Sequence, residues 1–130
     1  MNQTEGGSKN MIELSVLNQL EELQSDGEPD IIIEVIDLFL TTSLERVEAI
    51  QKFSEKDDRM SASRQAHALK SSAKTLGALE LGDLCQKIED LKNGGMPAEL
   101  HAFVKQLEIS YELTCKALIQ LKSARFKNSA

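Results

Sequence analysis

One histidine lies in a stretch that is rich in cations and has no acid. From Arg59 to Leu79 the chain carries Arg59, Arg64, Lys70 and Lys74 but no Asp or Glu, although its formal net charge is −6. His67 sits near the middle of this stretch. If the segment is helical, residues three and four apart share a face. Lys70 can then reach a charged group attached to His67, and Ser71 is short enough to leave the ring accessible. A free imidazole titrates near ~6.5 and is mostly neutral at pH 7, with a lone pair for nucleophilic attack. The surrounding cations would attract a phosphoryl group or an acidic partner surface. Such an arrangement suits a nucleophile reached by a bulky partner. A buried catalytic site would want a cleft and an orienting acid. On residue types alone, an ordinary solvated helix face fits the same pattern.

The elements that must hold this histidine are helices. At about 100° per residue, Ala62, Ala66, Leu69, Ala73 and Leu76 form one stripe, and its small residues let a neighbouring helix approach closely. Met60, Ser63, Arg64, His67, Lys70, Ser71 and Lys74 fall on the opposite face, which makes the imidazole exposed. Asp57-Asp58 can cap this helix, predicted over Arg59 to Leu76, and Gly77 ends or bends it. Before it, Met11 to Leu23 suggests a short helix. Pro29 suits the first turn of a long one running to about Ser54. The first half of that long helix is apolar nearly all round and must be covered on two sides. After the basic helix comes one carrying Leu81, Leu84, Cys85, Ile88 and Leu91, stopped at Asn93-Gly94-Gly95. Pro97 opens a last, long helix with Leu100, Phe103, Val104, Leu107, Tyr111, Leu118 and Leu121 near heptad spacing. No strand pattern occurs. The predicted fold is all-α: an antiparallel up-down four-helix bundle with an additional short N-terminal helix.

Composition agrees. With 130 residues the chain is one domain at most, and it is large enough for a core without metals or disulfides. Aromatics are 4% with no Trp, which argues against a sandwich or barrel. The acidic balance makes nucleic-acid binding unsuited as a global property. No apolar run nears the ~18 residues that span a bilayer, and the first ten residues lack the layout of a secretion signal. A cytoplasmic location is expected, with Cys85 and Cys115 as reduced, small core hydrophobes. Residues 1–10 read as a flexible tail, 11–126 as the domain and 127–130 as a C-terminal tail.

Ala66-His67-Ala68-Leu69-Lys70-Ser71-Ser72, followed after four more residues by Gly77-Ala78, resembles the phosphorylation motif of histidine-containing phosphotransfer (HPt) domains, A-H-x-L-K-(G/S)-S. Asp30 to Glu48 looks like the family's second helix, and Leu81 to Glu89 like the helix after the motif. The similarity covers roughly Leu20 to Gly95 and, less specifically, the last helix. It implies a four-helix bundle whose exposed His67 accepts a phosphoryl group from a receiver-domain aspartyl phosphate and passes it to another receiver. Lys70 would help hold the phosphoryl oxygens, and position 71 would leave room for the phosphohistidine and the docking partner. Many members carry Gly at that position. Ser71 could crowd the ring, or its hydroxyl could bond a phosphoryl oxygen. Members generally have no ATP site of their own. Implied partners are receiver domains of response regulators or hybrid histidine kinases. No cofactor of the chain's own is implied, because the receiver supplies Mg²⁺.

Transfer between a phosphoimidazole and an acyl phosphate need not run strongly downhill, so positioning and charge neutralisation would do most of the work. The expected docking surface joins polar contacts from Ser63, Arg64, Ser71 and Lys74 to Met60 and an apolar portion from the first two helices. Phe39 is a candidate for that portion, though core packing suits it better. A monomer is expected, since nothing demands a second subunit. Three rivals stand beside this reading. One is a helical adaptor without phosphotransfer. Another is a metal or haem bundle, for which the chain has no Glu-x-x-His pair, C-x-x-C-H or H-E-x-x-H, and whose only other histidine, His101, reads as a surface residue. The third is the phosphoacceptor domain of a chemotaxis-type kinase, whose ATP-using part would have to be separate.

Overall fold

The computed structural model describes residues 11–129, with side chains to residue 126. Five helices follow one another: α1 (Leu14–Glu21), α2 (Ile31–Glu55), α3 (Arg59–Thr75), α4 (Leu79–Asp90) and α5 (Pro97–Ser129). No strand occurs among the described residues. The expected tail at residues 1–10 lies outside them. At the other end α5 continues to Ser129, through positions expected as a C-terminal tail.

Local chemistry sets the helix starts. Asp30 caps α2, its Oδ1 accepting from the amides of Ile32 at 2.9 Å and Ile33 at 3.3 Å. Pro29 therefore precedes the cap instead of opening the first turn, because the carboxylate next to it satisfies two otherwise orphaned N–H groups. Asp58 caps α3 in the same way, accepting from Ser61 N at 3.1 Å. Pro97 opens α5 as expected, since its missing N–H costs nothing there.

Cross-helix pairs give the directions. Lys122 meets Asp37, Tyr111 meets Ser43 and Glu108 meets Gln51, so α5 runs antiparallel to α2. Arg46 meets Gln65 across α2 and α3, and Lys70 meets Gln86 across α3 and α4. Neighbours in sequence are neighbours in space, and α5 packing on α2 closes the bundle. The core takes Ile32, Ile36 and Ile50 from α2, Leu69 from α3, Leu81 and Ile88 from α4, and Leu100, Leu107 and Leu118 from α5. Each such side chain contributes about 1.5–3 kcal/mol on burial. Phe39 belongs to this core, with its ring tilted against Tyr111 at 6.2 Å between centroids. Leu38, one residue earlier, stays 64% exposed, so the apolar first half of α2 is not fully covered.

Gly77 joins the N-terminal segment to the hairpin of α3 and α4. Its φ is +84°, and its carbonyl accepts from Glu13 N at 2.8 Å. A Cβ at this position would come within 2.5 Å of the Glu13 carbonyl oxygen. Glycine alone meets both the left-handed backbone and the close approach.

Candidate functional site

The N-cap and the alanine stripe fix how α3 lies in the bundle. Ala62, Ala66, Leu69 and Ala73 are fully buried, and this turns His67 outward with 65% of its side chain exposed. The face predicted opposite the stripe is only partly open, and α4 covers Lys70. Met60, Arg64, His67, Ser71 and Lys74 are exposed, but Ser63 is buried and Lys70 is largely covered, its side chain 17% exposed. Ser63 thus departs from its expected place on the open face. Helical register gives an angle, and it does not say how far a neighbouring helix reaches around. Here α4 reaches far, helped by Gly82: the Lys74 stem lies where a Cβ on Gly82 would stand, 2.9 Å from Lys74 Cγ.

Three residues of α4 complete the site. Glu89 Oε2 lies 3.0 Å from His67 Nδ1, and Glu89 Oε1 lies 2.7 Å from Lys70 Nζ. The second contact is an ion pair outside hydrogen-bond geometry, so this buried oxygen keeps acceptor capacity. Lys70 directs its hydrogen bond to Gln86 Oε1 at 2.8 Å, and Gln86 Nε2 donates to Asp90 Oδ1 at 2.8 Å. A continuous network therefore runs from Asp90 to the imidazole. Burial pushes the Glu89 carboxyl upward, but the contacts with Lys70 and His67 outweigh this and hold it below the usual carboxylate range. A carboxylate only accepts, so the ring atom facing it is an N–H. Among the described residues, Nε2 of His67 has no hydrogen-bond partner.

Ser71 spends its hydroxyl on the helix, donating to the His67 carbonyl at 3.3 Å. It thus leaves the ring open and is not aimed at it. Of the four cations, Arg59 pairs with Asp57 and Lys70 with Glu89, while Arg64 and Lys74 make no ion pair among the described residues. The acids come from outside the acid-free stretch, so the patch is less cationic than the segment read alone. Beside α3, a groove of about 360 Å³ against α2 is lined by Val35, Leu38, Thr42, Ser72, Thr75 and Leu76. A larger depression of about 590 Å³, around Asp30 and Arg125, includes no residue of α3. His101 is exposed and donates from Nε2 to the Ser54 carbonyl at 3.2 Å. Among the described residues, no cluster of three His, Cys, Asp or Glu could hold a metal ion. No helix of the described residues is long and apolar enough to cross a membrane.

Sequence reasoning placed Glu89 in the helix after the motif and gave it no role. A signal existed. His67 and Glu89, Lys70 and Gln86, and Lys74 and Gly82 are each equidistant from Ala78. In an antiparallel helical hairpin with its turn there, such residues meet.

Comparison with known proteins agrees with this geometry. The Hpt domain model matches residues 34–122. Among solved structures, the fold is similar to histidine-containing phosphotransfer protein B from Pseudomonas aeruginosa PAO1. The TM-score is 0.78 at 21% identity, covering 90% of this chain and 98% of that one. No curated protein sequence gives a significant match. With its motif histidine standing out from α3 of a closed helical bundle, the chain belongs to the Hpt domain family.

Proposed function

We propose that this protein is a phosphorelay carrier that accepts a phosphoryl group on His67 from a receiver-domain aspartyl phosphate and returns it to another receiver. The observation that carries this reading is the exposed imidazole, with Nδ1 engaged by Glu89 and Nε2 unpartnered. The Nε2 lone pair forms the bond to phosphorus, the P–O bond to the aspartyl carboxylate breaks, and the electron pair leaves on that carboxylate. Lys70 gives up Gln86 to reach the phosphoryl oxygens, which carry more charge than an amide oxygen. An exposed helix face can supply a nucleophile and cations but cannot enclose Mg²⁺, so the acidic pocket and the metal belong to the receiver.

The receiver docks over Met60, Arg64, Ser71 and Lys74. An exposed Leu38 and the adjoining groove between α2 and α3 supply the apolar contact. Ser63, being buried, contributes no contact of its own. The protein acts in the cytoplasm as a monomer and brings no kinase activity or cofactor of its own.

Incubation with a phosphorylated receiver should place an acid-labile, base-stable phosphate on the wild type and none on His67→Gln. Receiver binding without any such phosphate on the wild type would leave the adaptor reading in its place.

A further inference from the structure

We propose that the trough between α2 and α5 is a second docking surface, and that it takes a basic amphipathic helix of a partner protein. Two adjoining depressions, of about 550 and about 420 Å³, follow one another along this seam and share Gln51 and Glu108. Together they run from Ala98 to Cys115, a length of about 26 Å at 1.5 Å per residue. A partner helix of about 17 residues matches that length. Among the described residues, none of α3 or α4 lines either depression.

The side chains at the seam account for the trough. Ala98, Ala102 and Ser54 put short groups where α2 and α5 meet, and the hollow between the helices stays unfilled. Its floor is apolar: Val47 and Val104 are buried there, and Leu44 stands at its edge, 51% exposed. Ile119, one turn past Cys115, is 55% exposed and continues the strip. An exposed apolar strip of this length between two helices is a surface that a third, amphipathic helix covers.

Charge selects the occupant. Among the described residues lining the trough, Glu48, Glu55, Glu108 and Glu112 stand against one lysine, Lys105. Gln51 donates to Glu108 at 2.9 Å, and Glu112 lies 3.7 Å from Lys116. Glu48 and Glu55 are exposed and make no ion pair among the described residues. Seven residues apart, they stand two turns apart on one side of α2, where lysines or arginines at the same spacing on a partner helix would meet them. These glutamates repel a phosphate-bearing surface. A second copy of this chain, with a net charge of −6, would bring its own glutamates against them.

The seam is separate from the face assigned to the receiver. Leu38 lines the groove against α3, whereas Leu44 lines the trough against α5. Six residues of helix put the two about 120° apart around α2. A partner held in the trough therefore leaves His67 open, and anchors the protein while a receiver docks.

The test uses the whole chain and an 18-residue peptide of leucine and lysine with its leucines on one helical face. Nitrogen-15 NMR titration should shift the amides of Leu44, Glu48, Gln51, Ala102 and Cys115 and leave those around His67 in place. Joint Glu48→Lys and Glu55→Lys substitution should weaken binding about ten-fold, and Leu44→Ala about five-fold. The wild-type map decides the site even if a variant does not fold. Shifts centred on α3, or no shifts at millimolar peptide, would overturn the inference. Equal affinity for a lysine peptide without leucines, or for spermidine, would also overturn it, because charge alone would then explain the binding. Shifts of the same amides on concentrating the protein alone would assign the trough to a second copy and overturn it as well.

Discussion

Lys70 Nζ and Glu89 Oε1 lie 2.7 Å apart, with the lysine side chain 17% exposed and the glutamate 16%. The cation expected to wait for a phosphoryl group is thus already neutralised, and it is stored beside the ring by the carboxylate that orients it. Removing either partner strands the other in a largely covered position. Lys70→Ala should cost about 1–3 kcal/mol in urea denaturation, the usual penalty for an unsatisfied buried polar group, and should also slow phosphotransfer. Unchanged stability would mean that the pair is relaxed in solution and that Lys70 is freely available.

The depressed Glu89 carboxyl has a pH consequence. Its folded pKa lies below the unfolded value, so it binds fewer protons when folded in the window between the two. Its stabilising contribution is complete above the unfolded value of about 4.3 and fades as pH falls through the folded one. The urea midpoint of the wild type should therefore drop more between pH 6 and acid than that of Glu89→Gln. Parallel curves for the two proteins would contradict the shift.

Gly77 joins α3, α4 and the segment before α1. Gly77→Ala places a Cβ at φ +84° against the Glu13 carbonyl. It should destabilise the protein by more than about 1 kcal/mol. Hydrogen exchange at the Glu13 amide, which donates to the Gly77 carbonyl, should accelerate with it. A neutral substitution would show that the N-terminal segment does not hold this position.

The two thiols should differ in reactivity. Burial is the main cause that pushes the Cys85 thiol up to about 12, and the side chain is inaccessible in the core. Cys115 is partly exposed, with its thiol raised by burial to a lesser extent. Thiol titration of the native protein at pH 8 should label Cys115 slowly and Cys85 only after unfolding. Rapid labelling of Cys85 would indicate an opening between α3, α4 and α5.

The docking face can be divided by mutation. Leu38→Glu changes an exposed residue, so stability should move by no more than ~0.5 kcal/mol. It should nonetheless weaken receiver binding about ten-fold by placing a charge in an apolar contact. Ser63→Ala should leave binding unchanged. The reverse result in calorimetric titration would place the partner on the α4 side of His67.

The helices, their order and the outward direction of His67 were legible from spacing alone. Alanines and leucines every three to four residues set which side of α3 is buried, and the turn residues set where each helix stops, within a few positions. These are properties of one helix and its neighbours along the chain, where rise and rotation per residue are constant. The short turns at Asp57 and Gly77 likewise dictated an antiparallel bundle. What surrounds the imidazole was decided by tertiary structure. How far α4 wraps around α3 depends on the space left by Gly82 and the alanines, and this wrap brought Glu89 and Gln86 to His67 and Lys70. Those partners sit 22 and 16 positions away in the chain. Only packing two helices into contact, with one register across their turn, makes such distant residues neighbours.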